Sequence, residues 1–187
     1  WDQQTMMPQR GGASRAEALA TIRRVGHEKF ISAHTGKLLD AAQASIDGAS
    51  YDSDDASLVR VTRRRWEKAR RIPTELASDL ARASSIGQEA WIKARATSDF
   101  AAFAPYLEHN LELARRYVDC FDSFERPYDA LLDDYEPGMS SATVASLFAE
   151  LKAELVPLIA TLAEHSDRVD DSSLPGSFPV ERQRQLV

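Results

Sequence analysis

The sequence predicts an all-α fold, an antiparallel array of helices, and three observations carry that expectation. Apolar residues recur at three- and four-residue intervals through most of the 187 positions. Sustained two-residue alternation is missing, and no Asn-Gly or Asp-Gly turn joins two alternating segments. Glycine and proline are scarce, 8 of each, while alanine and leucine are plentiful, a balance that favours helices.

The elements follow in order. Ser14-Arg15-Ala16-Glu17 reads as a capping box, in which a hydroxyl and a carboxylate satisfy free amides at a helix start. Behind it Leu19, Ile22, Gly26, Phe30 and Ala33 form an inward stripe running to about Thr35. A shorter helix is expected around Lys37 to Ser45, ending before Asp47-Gly48. A third runs from about Asp54 to Arg71 with Leu58, Thr62, Trp66 and Ala69 inward. Pro73 suits the first turn of the next helix, where a missing N–H costs nothing. That helix carries Leu76, Leu80, Ala83, Gly87, Trp91 and Ala94 on one face. Pro105 is expected to open another, with Leu107, Leu111, Ala114, Val118 and Phe121 aligned. A short segment from Tyr128 to Tyr135 and a Pro137-Gly138 turn precede the last long helix, whose stripe is Val144, Phe148, Leu151, Leu155, Leu158 and Leu162. Pro157 should kink it. Residues 167–179 are polar and rich in Asp, Ser and Pro, so they read as a loop. Pro179 to Val187 reads as the start of a further helix. The organisation expected is therefore a helical region over residues 1–166, then a loop and helix start over residues 167–187.

Composition excludes several function classes. With 23 basic and 29 acidic side chains the net charge is −6, which disfavours bulk binding to nucleic-acid phosphates. No apolar run approaches the roughly 20 residues that span a bilayer. The single cysteine, Cys120, cannot form an internal disulfide. The cytoplasm is the default expectation, although the chain begins at Trp1 rather than at an initiator methionine, which weakens any reading of a leader.

Chemical motifs are few. A helical zinc-peptidase site needs two histidines four residues apart with a glutamate after the first. His27-Glu28 supplies half of that pattern, but Ile31 stands at the second position, so a structural role is expected for His27. The residues three before the histidines are Arg24, Ile31, Tyr106 and Leu162, which excludes paired Glu-x-x-His motifs. His109 and Glu112 read as a solvated pair, and Cys120 as a buried, inert thiol. Arg60 to Arg71 holds seven cationic side chains, readable as an anion site or, more simply, as a solvated helix face pairing with acidic neighbours. Asp129, Asp133, Asp134 and Glu136 could suggest a hard cation, but their spacing matches no calcium loop and capping is the simpler role. The residues by themselves describe a helical domain and disclose no reaction.

Three stretches resemble the carboxypeptidase Taq family of metallocarboxypeptidases. They are Trp1-Asp2-Gln3-Gln4-Thr5-Met6-Met7-Pro8 with Arg15-Ala16 and His27-Glu28 after it; Trp91-Ile92-Lys93-Ala94-Arg95 running into Asp99-Phe100 and Phe103-Ala104-Pro105; and Tyr128-Asp129-Ala130-Leu131-Leu132-Asp133-Asp134-Tyr135-Glu136-Pro137-Gly138-Met139. Their order agrees with the family, and the likeness covers nearly the whole chain. The resemblance implies the N-terminal part of a larger, mostly helical peptidase that removes single residues from peptide C-termini. It implies zinc or cobalt in the full-length enzyme, held by a His-Glu-x-x-His helix and a later glutamate that lie beyond Val187. No catalytic or metal-ligating residue is therefore assigned in this chain, no substrate-binding residue either, and no metal is expected to bind it alone. The expected partner is a peptide substrate, and family members are often homodimers; neither nucleic acid nor a membrane is expected. The N-terminal helices wall and cover the groove in the family, with Trp1, Asp2, Tyr135 and Glu136 expected in packing and capping roles. The end at Gln183-Arg184-Gln185-Leu186-Val187 reads as a truncation. A stand-alone helical interaction or regulatory domain is the alternative, and an anion-binding module built on Arg60 to Arg71 is a third.

Overall fold

A computed structural model describes residues 6, 8–168 and 176–185, and those residues form helices and connecting turns without a strand. Two compact units divide the chain, Trp1–Leu131 and Leu132–Val187.

In the first unit a 3-10 turn at Gln9–Gly11 leads directly into α1, Gly12–Phe30. The expected capping box does not form: α1 starts ahead of Ser14, and Gly11 caps it without a side-chain bond. Glu17 instead accepts two hydrogen bonds from Arg82, at 2.7 and 3.2 Å. A charge-assisted, bidentate partner outcompetes a backbone amide for that carboxylate. Nor does the helix reach Thr35. It ends at Phe30, and Ser32 caps α2, Ala33–Ser45, by accepting from the Thr35 N–H at 3.2 Å.

Ser53 caps α3, Asp54–Ala69, and Asp54 and Asp55 in its first turn complement the helix dipole. The α2–α3 hairpin is antiparallel, with Trp66 packed over Gly36 and Arg63 bridged to Asp40 at 2.8 Å. Pro73 stands at the N-cap of α4, Thr74–Thr97. The next helix, α5, spans Phe100–Val118 and encloses Pro105 instead of starting there. Asp99 sets its start by accepting from the Ala102 N–H at 3.0 Å, so Pro105 falls in the second turn at the cost of one internal bond. A short helix, α6, covers Pro127–Leu132.

The core lies between α4 and α5, where Leu76, Ala83 and Leu113 are buried and Ile72, Leu80, Tyr117 and Cys120 pack around them. The expected stripes are offset in α3 and α5, among others. On α3 the buried residue is Val59, while Leu58 is 67% exposed; on α5 it is Leu113, at 1%, while Leu111 is 50% exposed. Successive helical residues diverge by about 100°, so an apolar run broad enough to include both positions does not say which one faces the neighbour. Trp91, expected inward, is also half exposed.

In the second unit the Pro137-Gly138 turn forms as expected. Gly138 has φ +81°, and the Asp133 carboxylate accepts its N–H at 3.0 Å. Ser140 then caps α7, Ser141–Glu164, which continues through Pro157 as one helix. None of its residues is buried. Phe148, Leu151, Leu155, Leu158 and Leu162, expected to be a core stripe, are all exposed, as are Leu147, Val156 and Ile159 on its other sides. A final helix, α8, spans Val180–Arg184 behind Pro179. Residues 169–175 of the expected loop lie outside the described residues.

Two stability experiments follow from this packing. Ser98 closes α4 in the left-handed region at φ 53° and ψ 34°, where a β-carbon costs roughly 1 kcal/mol. Ser98→Gly should therefore stabilise the fold by about 0.5 kcal/mol once the extra freedom of the unfolded glycine is subtracted, read as a higher urea midpoint at unchanged slope. Arg15 and Glu89, bridged at 2.8 Å between α1 and α4 and only 19% and 29% exposed, should couple by about 1 kcal/mol in a double-mutant cycle with Arg15→Ala and Glu89→Ala. That coupling should shrink in molar salt.

Candidate functional site: the groove between α1 and α4

Helices α1 and α4 run antiparallel, as three pairings at successive levels demonstrate. Arg15 meets Glu89, Glu17 meets Arg82, and the His27 Nε2–H donates to the Ile72 carbonyl at 2.9 Å. Small residues permit the close approach: Gly12, Ala16 and Ala20, at four-residue spacing, are the buried positions of α1. A β-carbon at Gly12 would overlap the Glu89 carboxylate.

Because the seam is made of small side chains, the large ones of α1 stand beside it. Leu19, Ile22 and Phe30, expected in a closed core, line an open groove of about 1440 Å³ together with Ile72, Leu80 and Ile92. Its polar lining includes Arg10, Arg15, Arg23, Lys93 and Glu89, with Ser84, Ser85 and Gln88 from α4. Four cations thus face one carboxylate. Glu89 is bridged to Arg15, whereas Arg10, Arg23 and Lys93 have no acidic partner among the described residues. The sequence reading named Lys93 only within the stretch Trp91 to Arg95 and did not name Arg10 or Arg23. The available signal was a second stripe, Arg15, Leu19, Arg23 and Gly26, lying one position from the small-residue stripe.

The other expected positions resolve individually. His27 lines this groove, but its Nε2 is committed to a backbone carbonyl, the structural role expected of it. His109 lies 3.8 Å from Glu112 on an exposed helix face. His165 Nδ1 pairs with the Thr161 carbonyl, and His34 is exposed. Among the described residues no group of three or more His, Cys, Asp or Glu side chains could hold a metal ion, so these residues do not fit the metal that the resemblance implies. Asp129 and Asp133 are buried, and Asp133 is the carboxylate that holds the Gly138 turn. Trp1 and Asp2 lie outside the described residues; Tyr135 and Glu136 are exposed.

The basic run, on α3 and the two residues that follow it, is largely engaged with its surroundings. Arg60 lies over the Tyr51 ring, Arg63 bridges Asp40, Arg71 bridges Asp122, Arg70 lies over Trp66, and Lys68 donates to the Ala130 carbonyl. That is the pairing expected of a solvated face. Burial pushes the Cys120 thiol up, Asp119 adds to the shift and Arg116 opposes it, so the thiol form is favoured at neutral pH. Hydrogen bonding to Arg82 holds the Glu17 carboxyl below its ordinary range, so their pairing persists at neutral pH and weakens only as acid protonates Glu17.

This helical architecture has known counterparts. The family model for carboxypeptidase Taq (M32) metallopeptidases matches residues 1–187. Thermostable carboxypeptidase 1 of Thermus thermophilus is 36% identical over 196 residues, and the match takes in 100% of this chain and 38% of that protein. Carboxypeptidase 1 of Bacillus subtilis is 32% identical over 186 residues, with 100% and 37% covered. The crystal structure of BsuCP aligns with a TM-score of 0.86 at 31% identity, over 100% of this chain and 37% of that one. Trypanosoma cruzi metallocarboxypeptidase 1 aligns at 0.68 and 27% identity, over 100% and 38%. The chain therefore spans well under half the length of these relatives. Matched along its whole length by the family model, and all-α like the solved structures, it belongs to the carboxypeptidase Taq (M32) family of metallopeptidases.

Proposed function

We propose that this chain is the N-terminal helical region of a metal-dependent carboxypeptidase that removes residues from the C-termini of peptides, and that it walls the substrate groove. The metal, zinc or cobalt, and its ligands belong to the remainder of the protein. The carrying observation is α7, a helix of 24 residues with apolar side chains on several sides and none of them buried. A helix that is apolar most of the way round belongs inside a larger protein. Leu111 and Trp91, exposed in the first unit, point the same way. A stand-alone regulatory domain would be expected to close over such surface, so that alternative loses support. A metal held by groups outside these residues would supply Lewis-acid chemistry. This chain's own part is to shape the groove and exclude large or folded substrates.

Two measurements test the proposal. The 187-residue chain alone should bind no stoichiometric zinc and cleave no blocked dipeptide, whereas the full-length protein should do both. Zinc titration with metal-free protein gives the first answer, and hydrolysis at either length would overturn or support the second. Leu155→Asp is the structural counterpart. If α7 is an internal helix of the whole enzyme, the charge should cost the full-length protein about 3 kcal/mol or more while leaving the 187-residue chain nearly unchanged. Equal, small effects at both lengths would mean that α7 faces water in the enzyme too.

A further inference from the structure

Resting on that reading, we infer that the α1–α4 groove is a track for the upstream part of the peptide substrate, and that it favours acidic side chains among aliphatic ones. Its lining combines two chemistries. Leu19, Ile22, Leu80 and Ile92 give it an aliphatic lining, and Arg10, Arg23 and Lys93 stand beside them without acidic partners among the described residues. The chain as a whole carries a net charge of −6, so a locally cationic groove departs from its average surface.

Length fits as well. The lining runs from Arg10 to Phe30, about 30 Å at 1.5 Å per helical residue, enough for about nine residues of extended peptide. Ser84, Ser85 and Gln88 along α4 offer hydrogen-bonding groups to a peptide backbone, which must satisfy its own amides and carbonyls wherever it lies.

The competing occupant is a helix from the rest of the protein. Packing an apolar helix there would strip water from three cations that find no acidic partner among the described residues, a strongly unfavourable arrangement. A peptide lying in an open groove leaves those cations hydrated on one side and free to meet carboxylates.

The test uses the metal-replete, full-length enzyme and peptides of about nine residues that share one C-terminal residue and differ only upstream, with Glu or Lys at the same positions. The ratio of kcat/KM for the Glu peptide over the Lys peptide should be about three- to tenfold near 20 mM salt and should fall toward one near 0.5 M. The triple variant Arg10→Gln, Arg23→Gln, Lys93→Gln should lose the preference, and the pair Arg23→Glu, Lys93→Glu should invert it. Equal rates for the two wild-type peptides, or a ratio that the variants leave intact, would overturn the inference. An intact ratio with a much lowered melting temperature overturns it in favour of a groove filled by the protein's own chain. Failure of the wild-type enzyme to cleave any peptide would sink the carboxypeptidase reading itself; cleavage without charge preference sinks only the track.

Discussion

The seam of small residues between α1 and α4 is the constraint on which the first unit depends. Gly12, Ala16 and Ala20 bring the helices close enough for side chains to span them at three levels, through Arg15 and Glu89, Glu17 and Arg82, and His27 and the Ile72 carbonyl. Larger residues at those three positions would hold the helices apart and lengthen every one of these contacts. The same seam displaces Leu19, Ile22 and Phe30 to one flank, so a close contact and an open groove are two consequences of one sequence pattern.

The core this leaves is modest. Five of the nine buried hydrophobic residues among those described are alanines, while most of the large apolar side chains of α7 and several of α3 to α5 remain in contact with water. Burying a leucine-sized side chain contributes about 2 kcal/mol, so the exposed face of α7 alone represents on the order of 10 kcal/mol of unused burial. An imbalance of that size is comparable to the whole stability of a domain, which is why it weighs for a larger protein and against a free-standing bundle.

Local rules were legible where their signals were local and unopposed. Helical periodicity, the Pro-Gly turn and the number and order of the long helices could be read directly, because neighbouring residues decide them. The reading failed where a distant partner intervened. Ser14 and Glu17 have the right spacing for a capping box, yet Arg82, 65 residues away, takes the carboxylate. Pro105 has the right chemistry for a helix start, but Asp99 provides an earlier one. The choice between Leu58 and Val59, or Leu111 and Leu113, depends on which side of the helix a partner occupies, and periodicity cannot supply that when apolar residues surround the axis. The groove was invisible for a related reason. Its cations are scattered over residues 10 to 93, and only the antiparallel pairing of α1 and α4 brings them to one surface.

His27 shows how a chemical motif and its physical setting can part. Followed by Glu28 on a long helix, it has the opening of a zinc-peptidase pattern, and in space it even lines the groove. A helical zinc site of this pattern needs a second donor one turn away and a further ligand to complete the set. The position one turn on holds Ile31, the C-cap of α1, which removes the second donor; the Nε2–H bond to the Ile72 carbonyl instead ties α1 to the junction leading into α4. With its donor spent on joining two helices, His27 sets the geometry of the groove rather than any reaction within it. Shape and charge, set by the pairing of α1 with α4, are thus what the groove owes to these residues.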